Sequence, residues 1–253
     1  GGATSWLQFA GFSIQPSEIV RPFLLIILAD VVTSGTFLSF KKILESGLWM
    51  LPATIVIYLQ PDFGMSITLF VGWLGILFTK GLSKKQLLIG LLLIGISLPL
   101  GWQFLRDYQK NRILSFFNPA GDPLNTGYHV LQSQIAVGSG QIWGRGLGRG
   151  TQSHLQFLPE RHTDFIFASL AEELGLIGSF LVLILYLLLF SRFIKAMHRT
   201  KEELPNLIIG GLLATLLFQV FVNIGMNVGF LPVTGLTLPL ISYGGTSVIA
   251  TFI

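Results

Sequence analysis

"LPERHTDFIFASLAEELGLIGSFLVLILYLLLF", residues 158–190, gathers Glu160, Arg161, His162, Thr163 and Asp164 and then runs almost wholly apolar, with Glu172 and Glu173 its only later charges. A bilayer is spanned by roughly 17–25 apolar residues in a helix. The stretch therefore reads as a membrane helix over 165–191 with a polar cluster at its mouth.

The rest of the chain repeats the pattern. Of its 253 residues, 51% are hydrophobic and 11% charged, and the mean hydropathy is +0.70. A soluble domain carries about 25% charged residues, so this chain lacks the means to cover a water-facing surface. Seven apolar blocks can be marked, near 18–34, 46–60, 63–80, 86–105, 165–191, 206–230 and 237–253. No alternating barrel pattern is present, and an open sheet edge is not tolerated in lipid. The expected fold is all-α, a polytopic transmembrane helix bundle. The net charge of +4 and pI near 9.5 follow from membrane topology, and no nucleic-acid partner is expected. With no cysteine, disulfides and Cys-based metal sites are excluded. The chain opens with Gly1-Gly2 and stops at Ile253 inside an apolar run, which reads as a segment of a longer membrane protein.

Lys and Arg in short loops set orientation. Lys41, Lys42, Lys80, Lys84, Lys85, Arg192, Lys195, Arg199 and Lys201 fall in alternate loops, predicted cytoplasmic; 60–62 and 231–236 hold no basic residue. Residues 106–164 then form one large extracytoplasmic loop. Trp102, Phe116, Phe117, Tyr128, Trp143 and Phe157 lie in it or at its edges. Disordered segments are poor in aromatics, so an ordered cap on the outer face is expected.

Several polar residues could carry chemistry, and each has a plainer alternative. Glu18 and Arg21 lie on one face at the start of the first block; they either snorkel to water as an interfacial pair or line a polar cavity. Asp62 in "QPDFG" suits a turn and helix cap. "GSGQIWGRGLGRGTQ" (138–152) fails the GxGxxG spacing. It reads as a flexible loop whose Arg145 and Arg149 either hold a phosphate or reflect flexibility alone. Asp164, a carboxylate beside Phe165, Ile166 and Phe167, is either a general base or the cap of the helix it precedes. Of Glu172 and Glu173, one is expected to face the cavity and the other an interface. His154 and His162, eight apart, do not make a zinc site, and no structural metal is expected.

"QPSEIVR" (15–21), "QPDFG" (60–64), "NPAGDPLNTGYHVLQSQIAVGSG" (118–140), "GRGTQSHLQFLPERHTDFIFASLAEELG" (148–175) and "PLISYGG" (239–245) together resemble the RodA/FtsW/SpoVE proteins, the SEDS family, and are closest to its RodA branch. The resemblance covers nearly the whole chain, as a single SEDS-type membrane domain. It implies a ten-helix fold of which this chain is roughly helices four to ten. It also implies a peptidoglycan glycosyltransferase of the bacterial inner membrane, polymerising lipid II into β-1,4-linked strands on the outer face during cell elongation.

The family's essential carboxylate falls on Asp164, and its "QPSE" acid on Glu18. Where the family has Lys, Arg21 stands here, which alters the geometry of that pair. On this reading Asp164 takes the proton of the acceptor hydroxyl. Arg145, Arg149 and Arg161 are candidates for holding the leaving pyrophosphate, and Glu160 and His162 for binding substrate beside them. No cofactor is required by the sequence; a divalent cation, Mg or Mn, is an alternative aid to the leaving group. The partners implied are lipid II, membrane lipid, a class B penicillin-binding transpeptidase and the elongation machinery. A transporter of lipid-linked precursor and a non-catalytic scaffold for the transpeptidase are the competing functions.

Overall fold

The structure, a computed structural model, describes residues 7–9, 12–33, 35, 37–60, 62–105, 107–118, 126–154, 158, 160–243 and 251. A small antiparallel hairpin, β1 (Leu7–Phe9) and β2 (Phe12–Ile14), precedes the helices. These are α1 (Pro16–Thr33), α2 (Phe40–Leu59), α3 (Phe63–Lys80), α4 (Lys84–Phe104), α5 (Asp107–Phe117), α6 (Thr126–Ser139), α7 (Thr151–His154), α8 (Ile166–Arg199) and α9 (Glu203–Asn227).

Helix starts follow from local chemistry. Pro16 opens α1, where its missing N–H has no helical partner to lose. Ser39 caps α2 through the Lys42 N–H at 3.3 Å, and Asp62 caps α3 through the Met65 N–H at 3.0 Å. Ser83 and Gln86 form a reciprocal capping box on α4. Phe63–Lys80, Lys84–Gln103, Ile166–Arg199 and Glu203–Asn227 are long and apolar enough to cross a membrane. α1 and α2, of 18 and 20 residues, are as long but carry more charge. Along α4, Leu88, Leu91, Leu92, Leu93 and Ile96 are all more than half exposed, a surface that water would not tolerate and lipid would.

Two elements depart from the sequence reading. α8 continues through Arg192, Lys195 and Arg199, because helical hydrogen bonding does not stop where apolarity does. The block expected over 237–253 has not become helical by Tyr243: residues 232–238 are irregular and 239–241 turn at Pro239. Residues 244–250, 119–125 and Phe157 lie outside the described residues.

The chain divides into two compact units. In the first (1–106, 192–218 and 245–253), Leu25, Leu28, Val32, Leu69, Ile76 and Leu207 build the core. Small residues let α3 and α9 approach closely: a Cβ on Gly75 would lie 2.4 Å from the Ala214 Cβ and 2.9 Å from the Gly210 carbonyl oxygen. Lys80, expected as a free loop cation, is instead drawn in. Its ammonium donates to the Thr33 and Gly35 carbonyls and pairs with Glu203.

The second unit (107–191 and 219–244) packs Val130, Ala136, Leu158, Phe165, Ala168, Met226 and Val233 together. Here α8 is broken at Gly175, with φ +66° and ψ −161°, a conformation open essentially to glycine alone. A helix would have paired the Leu176 and Ile177 N–H groups with the Glu172 and Glu173 carbonyls. The Gly-rich loop replaces both pairs. Gln141 and Ile142 carbonyls accept from Leu176 and Ile177 at 2.8 and 3.3 Å, while Arg145 and Gly146 N–H groups donate to Glu172 and Glu173 at 2.9 and 3.0 Å. The buried Glu172 carboxylate adds bonds from the Gln152 N–H at 2.9 Å and the Thr151 hydroxyl at 3.3 Å.

This corrects the flexible-loop reading of 138–152. Gly140 and Gly144 serve backbone-to-backbone packing: a Cβ on Gly140 would overlap the Ala171 carbonyl oxygen, one on Gly144 would fall 2.1 Å from the Glu173 carbonyl oxygen, and one on Gly175 2.3 Å from the Gly144 nitrogen. Gly175→Ala is therefore expected to lower the melting temperature of the detergent-solubilised protein sharply. Backbone strain at that φ/ψ alone costs about 1–3 kcal/mol, and the clash with Gly144 adds to it. Gly95→Ala, where no atom lies within 4 Å, should melt as the parent does.

Candidate active site at the start of helix α8

Residues 160–165 form a turn that feeds α8. Glu160 sits at φ +52°, and its carbonyl accepts the N–H groups of Thr163 and Phe165, both at 3.1 Å. The Thr163 hydroxyl also donates to the Glu160 carboxylate at 3.0 Å. The next carbonyls are each taken by another part of the unit. His162 accepts from the Tyr243 N–H at 2.7 Å and Thr163 from the Ser242 hydroxyl at 2.8 Å. Asp164 accepts from two carboxamides of α9, Asn223 at 2.9 Å and Asn227 at 3.0 Å.

Both asparagines are fully buried and further engaged. Asn223 also donates to the Leu236 carbonyl at 2.7 Å. Asn227 accepts the Ala168 N–H at 3.0 Å, so a carboxamide from α9 serves as the cap at that position. Its own carbonyl accepts from the Ser133 hydroxyl at 2.7 Å.

With its main chain held in this way, the partly exposed Asp164 side chain meets the 228–243 segment at Gly235. The position a Gly235 Cβ would occupy lies 3.7 Å from Asp164 Oδ2 and 3.6 Å from Arg112 Nη1. Arg112 comes from α5, its guanidinium 5.9 Å from the Tyr108 ring centroid.

Arg161 and His162 have different surroundings. They edge a cavity of about 470 Å³ whose wall includes Leu147, Ile166, Leu170 and Glu173, and Arg161 Nε donates to His162 Nε2 at 3.1 Å. Asp164 is not among the described residues lining it. The two glutamates of α8 have different surroundings: Glu173 borders the cavity, and Glu172 is buried against the loop rather than at an interface.

The other candidates are placed as follows. Arg145 donates to the Ser139 carbonyl at 3.3 Å and the Thr151 hydroxyl at 3.4 Å, so its guanidinium braces the loop. Arg149 and Glu160 are exposed. Glu18 and Arg21 are buried on α1 in the first unit, and Arg21 Nε and Nη1 have no acceptor among the described residues. The exposed, snorkelling alternative for that pair is thus ruled out by burial. Among the described residues no three His, Asp or Glu side chains converge.

Asn223, Asn227, Arg112 and Gly235 were not singled out in the sequence. Two amides four apart in an otherwise apolar helix were a readable signal, since polar groups in a span usually face a partner. Nothing marked Arg112 among the basic residues of the long loop.

Apolar helices and an anchored carboxylate at a helix mouth define a polytopic helical membrane protein with an enzyme-like site. The profile of the "Cell cycle protein" family, that of FtsW, RodA and SpoVE, matches residues 1–253. The peptidoglycan glycosyltransferase MrdB of Escherichia coli K12 is 42% identical over 98% of this chain and 68% of its own length. A solved structure on the coordination of polymerisation and crosslinking by a peptidoglycan synthase complex aligns with TM-score 0.81 at 34% identity, over 99% of this chain and 70% of the other. The crystal structure of Thermus thermophilus RodA aligns with TM-score 0.66 at 30% identity, over 99% and 66%. The chain belongs to the FtsW/RodA/SpoVE family.

Asn227→Ala strands the Ala168 N–H and removes one of two donors to the Asp164 carbonyl. A buried group left unsatisfied costs about 1–3 kcal/mol. The variant should show a clear fall in melting temperature in detergent, and an unchanged temperature would mean that the amide does not anchor the turn.

Proposed function

We propose that the protein is a peptidoglycan glycosyltransferase that joins lipid II into β-1,4-linked glycan, with Asp164 as general base. The observation that carries the assignment is the anchoring of the 162–164 carbonyls by Tyr243, Ser242, Asn223 and Asn227, which fixes a carboxylate at the mouth of a membrane helix. General-base catalysis needs such a group within hydrogen-bond reach of the proton it removes, and fixed position supplies much of the rate.

The reaction follows in ordinary terms. The acceptor's GlcNAc 4-hydroxyl attacks the anomeric carbon of the donor's MurNAc while Asp164 takes its proton. The new C–O bond forms as the bond to the polyprenyl diphosphate breaks, and the diphosphate departs with the electron pair. The base must be ionised when the hydroxyl arrives, so activity requires deprotonated Asp164.

Joining two lipid II molecules brings two polyprenyl diphosphates to the protein. Arg161 and His162, at the edge of a cavity walled by Leu147, Ile166 and Leu170, are suited to hold one such head with its first isoprene units. Glu18 and Arg21, both buried on α1, are further candidates for binding substrate. The positive-inside pattern puts residues 106–164 outside the bacterial inner membrane, where a class B penicillin-binding transpeptidase is the partner that crosslinks the product.

Protein reconstituted in vesicles with labelled lipid II should make glycan polymer. Asp164→Asn, with the same melting temperature, should lose it by at least about a hundredfold. Precursor crossing the bilayer without polymer would support the transporter reading, and full polymerisation by Asp164→Asn would refute the base.

A further inference from the structure

Glycosyl transfer from a diphosphate needs cationic help at the leaving group as well as a base at the nucleophile, because negative charge collects on the departing oxygens. That charge would build near a carboxylate, which opposes it. Arg145 is turned into the loop, and Arg161 faces the cavity that Asp164 does not line. Arg112 is the cation whose guanidinium meets the same point of the 228–243 segment as the Asp164 carboxylate.

That point is Gly235. Among the described residues, only Arg112 Nη1 and Asp164 Oδ2 come within 4 Å of the place its side chain would begin. The residue has φ +78°, in the region that other L-residues rarely adopt. Its bare Cα therefore lies between a guanidinium on one side and a carboxylate on the other, with room for at least a methyl group between them. Arg112 is partly exposed and lies against the Tyr108 ring, so its planar fork is held with donors to spare. A planar fork is the donor geometry that suits phosphate oxygens. A base and a phosphate-binding cation facing one open space match the two ends of a sugar under attack at its anomeric carbon.

We propose that Arg112 is a further catalytic residue, binding the diphosphate of the lipid-linked donor, and that Gly235 keeps the space between Arg112 and Asp164 open for the reacting sugar. The inference rests on the glycosyltransferase reading and adds a leaving-group contact to it. A purely positioning role would have Arg112 orient Asp164 without touching substrate, and the two roles differ in what they do to product binding.

The test uses the whole protein in detergent micelles, with inhibition of lipid II polymerisation by added undecaprenyl diphosphate compared with undecaprenyl monophosphate. In Arg112→Gln the polymerisation rate at saturating lipid II should fall about a hundredfold. Inhibition by the diphosphate should weaken by about tenfold or more relative to the monophosphate. Arg112→Lys, which keeps charge but loses the fork, should recover part of both, and it stands in if the Gln variant fails to fold. Unchanged diphosphate inhibition, or a parental rate in Arg112→Gln, overturns the proposal while leaving the glycosyltransferase reading intact. If the parent makes no polymer, that reading fails instead. Direct binding of undecaprenyl diphosphate then decides Arg112 on its own: binding that is equal in parent and Arg112→Gln overturns it.

Discussion

A backbone N–H or C=O in an apolar setting must find its partner within the protein, because no water is present to replace it. Much of the second unit can be read as the consequence. Where α8 breaks at Gly175, two helical hydrogen bonds are lost, and the Gly-rich loop crosses the break to supply acceptors and donors to the stranded groups. Where the chain turns into α8, successive carbonyls are met by the 228–243 segment and by two asparagines of α9. The same solution appears twice on one helix, once with backbone and once with side chains.

The second solution connects folding to chemistry. Side-chain amides that hold the Asp164 carbonyl also fix where its carboxylate begins, and Asn227 ties that point to the Ala168 N–H of the first helical turn. A carboxylate held in this way owes its position to α9 and to the segment beyond it, not to the loop that carries it. Gly235 belongs to the same segment, so the part that anchors the turn also shapes the space in front of the acid. Any shift of the segment moves carboxylate, Gly235 and anchor together.

The membrane-length helices were legible in the sequence because apolar blocks and a cap such as Asp62 act locally. Asp164 was legible as a carboxylate at a helix mouth, and its motif pointed to the same residue. What remained hidden depends on distant pairing. Gly140 and Gly144 look like flexibility until the α8 backbone at 171–174 shows what they pack against. Lys80 looks like a loop cation until the ends of α1 and α9 enclose it. The apolar stretch after 237 reads as helix by composition, yet Pro239 and the demands of the 162–164 carbonyls turn its first residues into an anchor. Arg112 carries no local mark, and only the tertiary fold brings it to Gly235.

The anchored carboxylate of Asp164 is proposed to remove a proton in the rate-determining chemistry. The direct measurement is the pH dependence of single-turnover lipid II coupling, made with the parent and with the residual activity of Asp164→Asn. The account predicts that the parent rate declines toward acid as the base is protonated, and that this decline is missing from the slow residual reaction of the variant. The same acid-side decline in both proteins would contradict it.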